Sequence, residues 1–373
     1  MGIEQDTTQI VPMNALRVGT RLEEFVIRAV IGEGGFGIVY LAYDTSLERE
    51  VAIKEYLPGS LATRGAGLQV EVRQADKRVL FQKGMRRFVN EAHILARFRH
   101  PALVSVLRFF EANGTAYMVM PYYRGKTLRE KVRGGFRAKS TEELFSILLP
   151  VLEGLSQIHS VECYHLDISS DNILILENNA PVLLDFGAAR HTELSGEDST
   201  TIILKPGFAP IEQYGGMDGE LELGPWTDIY AISAVAYLLV TGTMPPMSVS
   251  RMMKDSLKPA VDYASPELPM WVLRVIDTGL SIRQQDRQQS VRTYITALLE
   301  AAEGAAPPPV REEPSLQTGG GILPMPDFPP AQSNGAWSNY EKPKRNSAPL
   351  RWGGLFIALL LFAVLVLTVF SGK

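Results

Sequence analysis

Apolar and polar positions alternate in short runs over the first third of the chain and recur every three to four residues over its middle. Val51-Ala52-Ile53 and Ala116-Tyr117-Met118-Val119-Met120 are β-rich runs, with one helical stretch around 84–98 between them. Beyond about residue 120 helices dominate. Ser140-Thr141-Glu142-Glu143 has capping-box spacing and opens an apolar-periodic segment through Ile158. A second apolar helix is expected from about Asp228 to Val240. No internal repeat is visible. The pattern predicts one globular unit over residues 21–300, preceded by an N-terminal extension, 1–20.

The pattern stops near residue 305. Ten of the chain's 24 prolines lie between 307 and 349, beside a run of three glycines, so 305–350 reads as a flexible to semi-extended linker. Residues 352–370 then carry no charge over 19 positions, and as a helix would measure roughly 28 Å, enough to cross a bilayer core. A helix apolar on every face after such a linker has no core to enter, and a transmembrane helix is expected there. Lys342, Lys344, Arg345 and Arg351 precede it and only Lys373 follows. That asymmetry keeps the large N-terminal part in the cytoplasm and predicts a single-pass, tail-anchored protein of the cell inner membrane, in contact with membrane lipid. Residues 1–20 lack the basic start and apolar stretch of a signal peptide.

Composition narrows the chemistry. With 37 basic and 41 acidic residues the net charge is −4, which gives no polyanion-binding signal and excludes nucleic acid as the expected partner. A single cysteine, Cys163, rules out an intramolecular disulfide and a cysteine-cluster zinc site, and reads as buried apolar filler. The five histidines show no metal-ligand spacing. The basic cluster of Arg73, Lys77, Arg78, Lys83, Arg86 and Arg87 reads as a solvated face, with an anionic-lipid docking surface as the alternative.

Gly32-Glu33-Gly34-Gly35-Phe36-Gly37 is a glycine-rich turn whose backbone can approach phosphate oxygens. Alone it fits a dinucleotide-binding turn equally well. Here Ile38, Val39 and Tyr40 follow directly, so the turn enters a strand and favours a hairpin over a nucleotide. Lys54 closes the next β-run and reads as a solvated strand end or a phosphate ligand; Glu91, on the helical stretch, is a carboxylate able to orient it. Asp167 and Asn172 stand five residues apart, and Asp185 follows on the turn Leu184-Asp185-Phe186-Gly187. That pattern suits a hydroxyl nucleophile and Mg²⁺ held beside a triphosphate.

In this order the motifs resemble the eukaryotic-type (Hanks-type) protein kinase family, in its bacterial serine/threonine branch, over about residues 22–300. The resemblance implies an α+β fold of two lobes, the first β-rich and the second helical. It implies ATP and Mg²⁺ as cofactors and protein serine or threonine hydroxyls as substrates, with self-association for trans-autophosphorylation. Ile31, Gly32, Gly34, Gly37, Val39, Lys54, Met120 and Tyr122 would bind ATP, Met120 preceding a hinge over 121–123. Lys54 would pair with Glu91, Asp167 would orient the substrate hydroxyl, and Asn172 with Asp185 would hold Mg²⁺. Glu212 would pair with Arg287, and Asp228 would anchor the catalytic-loop backbone from below. The activation segment and its Ala209-Pro210-Ile211-Glu212 ending disfavour a small-molecule kinase.

Two departures stand out. Leu166 occupies the position of an arginine that receives an activation-loop phosphate, which argues against strict control by phosphorylation there. Ser169 replaces the catalytic-loop lysine, while Lys205 falls where the family has the hydroxyl opposite it. The pair reads as exchanged, making Lys205 a candidate catalytic residue; the competing reading is a solvated surface lysine. The same departures support the alternative of a membrane-tethered pseudokinase that binds nucleotide or partners without transferring phosphate.

Overall fold

The computed structural model describes residues 13–65, 67–186, 190–191, 204–215 and 222–302. The chain divides into two units, Met1–Pro314 and Ser315–Lys373, and all described residues belong to the first. The expected linker and membrane span lie outside them. Among the described residues no helix is long and apolar enough to cross a membrane.

The first lobe is an antiparallel sheet ordered β1-β2-β3-β4-β8-β7. Its strands are β1 (Arg21–Leu22), β2 (Phe25–Gly34), β3 (Gly37–Asp44) and β4 (Arg49–Tyr56), then β7 (Arg108–Ala112) and β8 (Thr115–Pro121). A small hairpin, β5 (Ala62–Arg64) with β6 (Val70–Val72), and helix α1 (Arg78–Leu95) stand between β4 and β7. On α1, Phe81, Phe88, Ala92 and Leu95 are buried, a helical stripe facing the sheet. The helix begins at Arg78, six residues before the stretch that signals it, and Arg78, Val79 and Leu80 of its first turn are exposed. Leu16, on the expected extension, is buried at 1% exposure, so the segment around it also packs into this lobe.

The second lobe opens with β9 (Gly125–Thr127), α2 (Leu128–Arg133) and α3 (Thr141–His159). Ser140 caps α3 by accepting from the Glu143 amide at 3.3 Å, but the Glu143 carboxylate accepts from Lys139, one residue before the cap. The complete capping box stands instead at Thr127 and Glu130. Strands β10 (Cys163–Tyr164), β11 (Ile173–Leu176), β12 (Pro181–Leu183) and β13 (Arg190–His191) form two small sheets that carry the loops of the site. Helix α4 (Pro225–Thr241) is buried on every face from Thr227 to Leu239. It begins on a proline that needs no amide partner and ends on Gly242 at φ +75°, the left-handed position glycine tolerates. Around it lie α5 (Ser248–Met253), α6 (Met270–Gly279) and α7 (Val291–Ala302). Its burial makes α4 the post to which the catalytic loop is tied.

Candidate active site

Lys54 lies mid-way along β4, paired in register with Val39 on one side and Met118 on the other. Its ammonium donates to Glu91 on α1 at 3.0 Å and to Asp185 at 2.6 Å, so one cation joins the sheet, the helix and the second lobe. Burial pulls Lys54 down, but Asp185 and Glu91 outweigh it and hold the ammonium above its ordinary pKa. Burial also pushes Glu91 up to about 7, against the pull of Lys54.

The catalytic loop runs between β10 and β11. Asp228, in the first turn of α4, accepts from the amides of His165 and Leu166, each at 2.8 Å, and contacts His159 Nε2 at 2.8 Å. These bonds fix Leu166 at φ +61°, a conformation an unrestrained leucine avoids. They aim Asp167 at the cleft. Asn172 donates its side-chain amide to both the carbonyl and the carboxylate of Asp167 at 2.8 Å. Burial raises the Asp167 carboxyl to about 6, with Asp185 adding to the rise and Lys205 opposing it. His165 is buried with its ring centroid 4.4 Å from that of Phe186, and burial lowers it to about 4, so it packs as a neutral ring.

Lys205 enters this site from the other side. Its ammonium donates to Ser169 Oγ at 2.9 Å and lies 3.2 Å from Asp167 Oδ1. It is therefore not a solvated surface group. The segment that follows it is fastened at three points. Gln213 donates to the Leu166 carbonyl at 2.7 Å, and Ser248 to the Ala209 carbonyl at 2.8 Å. Glu212 meets Arg287 at 2.6 Å, both fully out of solvent.

The three glycines of the hairpin differ in what surrounds them. A Cβ at Gly34 would meet nothing within 4 Å, and at Gly32 only ordinary contacts with Val39, so packing requires glycine at neither. Gly37 differs: a Cβ there would lie 1.8 Å from the Glu55 carbonyl oxygen, so this glycine seats the hairpin on β4. Ile31 is exposed, while Val39, Met120 and Tyr122 are half-buried beside the same hairpin and strand. Asn172 and Asp185 offer hard oxygen donors, and the Asn172 backbone carbonyl accepts from the Leu184 amide at 2.7 Å, next to Asp185. Because the amide nitrogen of Asn172 faces Asp167, its side-chain oxygen is left for a cation. Among the described residues no group of three or more His, Cys, Asp or Glu forms a metal cage. Mg²⁺ bound through one carboxylate, one amide and nucleotide phosphates needs none.

Residues 25–269 match the model of the protein kinase domain. The chain belongs to the protein kinase family. The chain is 28% identical over 371 residues to the serine/threonine-protein kinase PknB of Mycolicibacterium smegmatis, covering 93% of this chain and 54% of that protein. It is 26% identical over 306 residues to the serine/threonine-protein kinase PknD of Protochlamydia amoebophila, covering 74% of this chain and 29% of that one. Among solved structures it is similar to "PpkA-294 apo form", at 45% identity and a TM-score of 0.66, over 76% of this chain and 99% of that one. The chain spans between 29% and 54% of the length of these two bacterial relatives.

One cluster escaped the sequence reading. Glu55, next to Lys54 but facing the opposite side of β4, is fully buried. It accepts from Tyr40 at 2.7 Å, Tyr117 at 2.8 Å and Arg64 at 2.5 Å. Arg64 in turn donates to the carbonyls of Asn14 and Leu68. The hairpin β5–β6 and the N-terminal segment thus meet on the reverse of the lysine strand. The one available signal was the polar run Ala62-Thr63-Arg64 beside an apolar strand. Of the basic cluster near α1, Arg73, Arg78, Lys83 and Arg86 are exposed, and Lys77 and Arg87 are half-buried.

Proposed function

We propose that this chain is a magnesium-dependent serine/threonine protein kinase held at the cytoplasmic face of a membrane by residues 352–370. The observation that carries the reading is Lys54 joined to both Glu91 and Asp185 while Asn172 holds the carboxylate of Asp167. Each of these groups has a separate task in phosphoryl transfer. Ile31, Gly32, Gly34, Gly37, Val39, Met120 and Tyr122 hold ATP, Lys54 steadies its phosphates, and Asn172 with Asp185 holds Mg²⁺. Asp167 takes the proton of a serine or threonine hydroxyl as that oxygen bonds the γ-phosphorus. The bond from that phosphorus to the β,γ-bridging oxygen breaks, and ADP leaves. The tether limits substrates to proteins near the membrane and concentrates the kinase for trans-autophosphorylation.

The test is full-length protein in detergent with Mg²⁺, γ-labelled ATP and a generic basic protein, beside Asp167→Asn. Label that disappears in the variant and with EDTA supports the reading. Absence of label together with Mg·ATP binding would replace it with the second reading, a nucleotide-binding scaffold, which Ser169 in place of a loop lysine favours. Cell fractionation of a chain ending at residue 304 tests the anchor, the expected result being a move from the membrane to the soluble fraction.

A further inference from the structure

The loop from His165 to Asn172 contains no lysine or arginine, yet it carries Asp167 and Asp171 and faces Asp185. A triphosphate entering this site brings further negative charge. Among the described residues, two ammonium groups reach the site. Lys54 bonds Glu91 and Asp185, and Lys205 bonds Ser169 and Asp167. Arg129, whose amide donates to the Ser170 carbonyl at 2.9 Å, pairs its guanidinium with Asp171 at 3.0 Å.

Lys205 is placed to deliver charge rather than to brace the fold. Its backbone is held by a turn in which the amides of Phe208 and Ala209 donate to its carbonyl, each at 3.1 Å. Gly207, at φ +84°, brings that turn against the Pro245 carbonyl, which a Cβ there would approach to 2.8 Å. From this fixed base a flexible four-carbon stem carries three N–H donors. Two are taken by Ser169 and Asp167, and the third has no partner among the described residues. Ser169, fully buried, is small enough to admit the lysine head and supplies an acceptor for it. A lysine at 169 would instead set two ammonium groups against each other.

We propose that Lys205 provides the cation that meets the γ-phosphate in this site, in exchange with Ser169, and that catalysis therefore requires residues 204–213 to be seated. The inference rests on the kinase reading above. The seat is built from two uncharged hydrogen bonds, Gln213 to Leu166 and Ser248 to Ala209, and one internal ion pair, Glu212 with Arg287, and none of them requires a phosphate. Lys205 holds Asp167 before nucleotide binds and turns toward the γ-phosphate when it does, while Asp167 accepts the substrate hydroxyl.

Two measurements on full-length protein in detergent test this. The first is equilibrium binding, with Mg²⁺, of ADP and of a non-hydrolysable ATP analogue bearing a γ-phosphate. Lys205→Met is expected to weaken the analogue about tenfold, one hydrogen-bonded charge at a solvent-exposed cleft, while ADP binding stays unchanged. A lysine that only braced the fold would move both alike or neither, and either result overturns the proposal. The second is phosphotransfer by Lys205→Thr and by the double variant Ser169→Lys/Lys205→Thr, which returns the ammonium to the loop and the hydroxyl to the segment. The single variant is expected to lose about 10²–10³ in kcat, the scale of one preorganised donor to transition-state charge. The double variant is expected to recover at least tenfold of that loss. Equal rates for the two variants, or full activity in Lys205→Thr, overturn the proposal. If the wild type itself transfers no phosphate, the kinase reading fails instead, and the binding comparison still decides whether Lys205 meets a γ-phosphate.

Discussion

Replacing Arg64 by methionine removes a guanidinium bonded to a fully buried carboxylate in the first lobe. Glu55 keeps the hydroxyls of Tyr40 and Tyr117, two neutral donors, and loses its counter-charge at 2.5 Å. The carbonyls of Asn14 and Leu68 lose their donors at the same time. Breaking one side of a buried pair costs about 3–5 kcal/mol, because the remaining charge stays desolvated. In a domain of this size that corresponds to a fall in Tm of roughly 6–20 °C at about 2–4 °C per kcal/mol. Thermal unfolding followed by circular dichroism reads the change directly. The double variant Glu55→Gln/Arg64→Met is expected to be more stable than Arg64→Met alone, because the orphaned charge is gone. A Tm within 2 °C of wild type for Arg64→Met would refute the reasoning, since it would mean that Glu55 loses its counter-charge at no cost.

Three further outcomes follow from the geometry. Gly37→Ala is expected to destabilise the domain by about 1–3 kcal/mol, because its Cβ meets the Glu55 carbonyl, whereas Gly34→Ala leaves Tm unchanged and raises the Kd for ATP. Calorimetry and nucleotide titration separate the two. Glu91→Gln weakens the hold on Lys54 and is expected to lower kcat/KM on the order of 10²-fold, the scale of a misplaced catalytic group, with the fold intact by circular dichroism. Burial would raise the Asp228 carboxyl, but the hydrogen bond and charge of His159 with the loop amide of Leu166 hold it below its ordinary value. A depressed carboxyl stabilises the fold above its unfolded pKa of about 4 and loses that contribution as pH falls. Tm should therefore drop on acidification below about pH 4 more steeply in wild type than in Asp228→Asn.

Much of the site was legible because its chemistry depends on residue type at fixed spacing. Lys54, Glu91, Asp167, Asn172 and Asp185 are polar residues next to apolar runs, and the fold closes them into one cleft. Lys205 could be singled out because a missing charge at Ser169 directs attention to its counterpart. Glu55 was hidden for the opposite reason. In an alternating strand, the neighbour of a cleft-facing lysine reads as solvent-facing, and only the hairpin folded over that face buries it. Leu16 was hidden likewise, since one apolar residue in a polar segment has no periodicity. The box at Ser140 has the right letters, yet the carboxylate bonds one residue further back, a choice of rotamer that spacing does not encode.

Lys54 and Glu55 are neighbours that look out from opposite faces of one strand. The hairpin over residues 62–72 and the segment from Asn14 are therefore not ornaments to be trimmed or grafted at will. A chimera that exchanges the lysine strand with that of another kinase must carry residues 14–72 as a single block. Otherwise it pairs a foreign lysine with a carboxylate that has lost its lid. In this chain the unit of inheritance is the strand together with its backing.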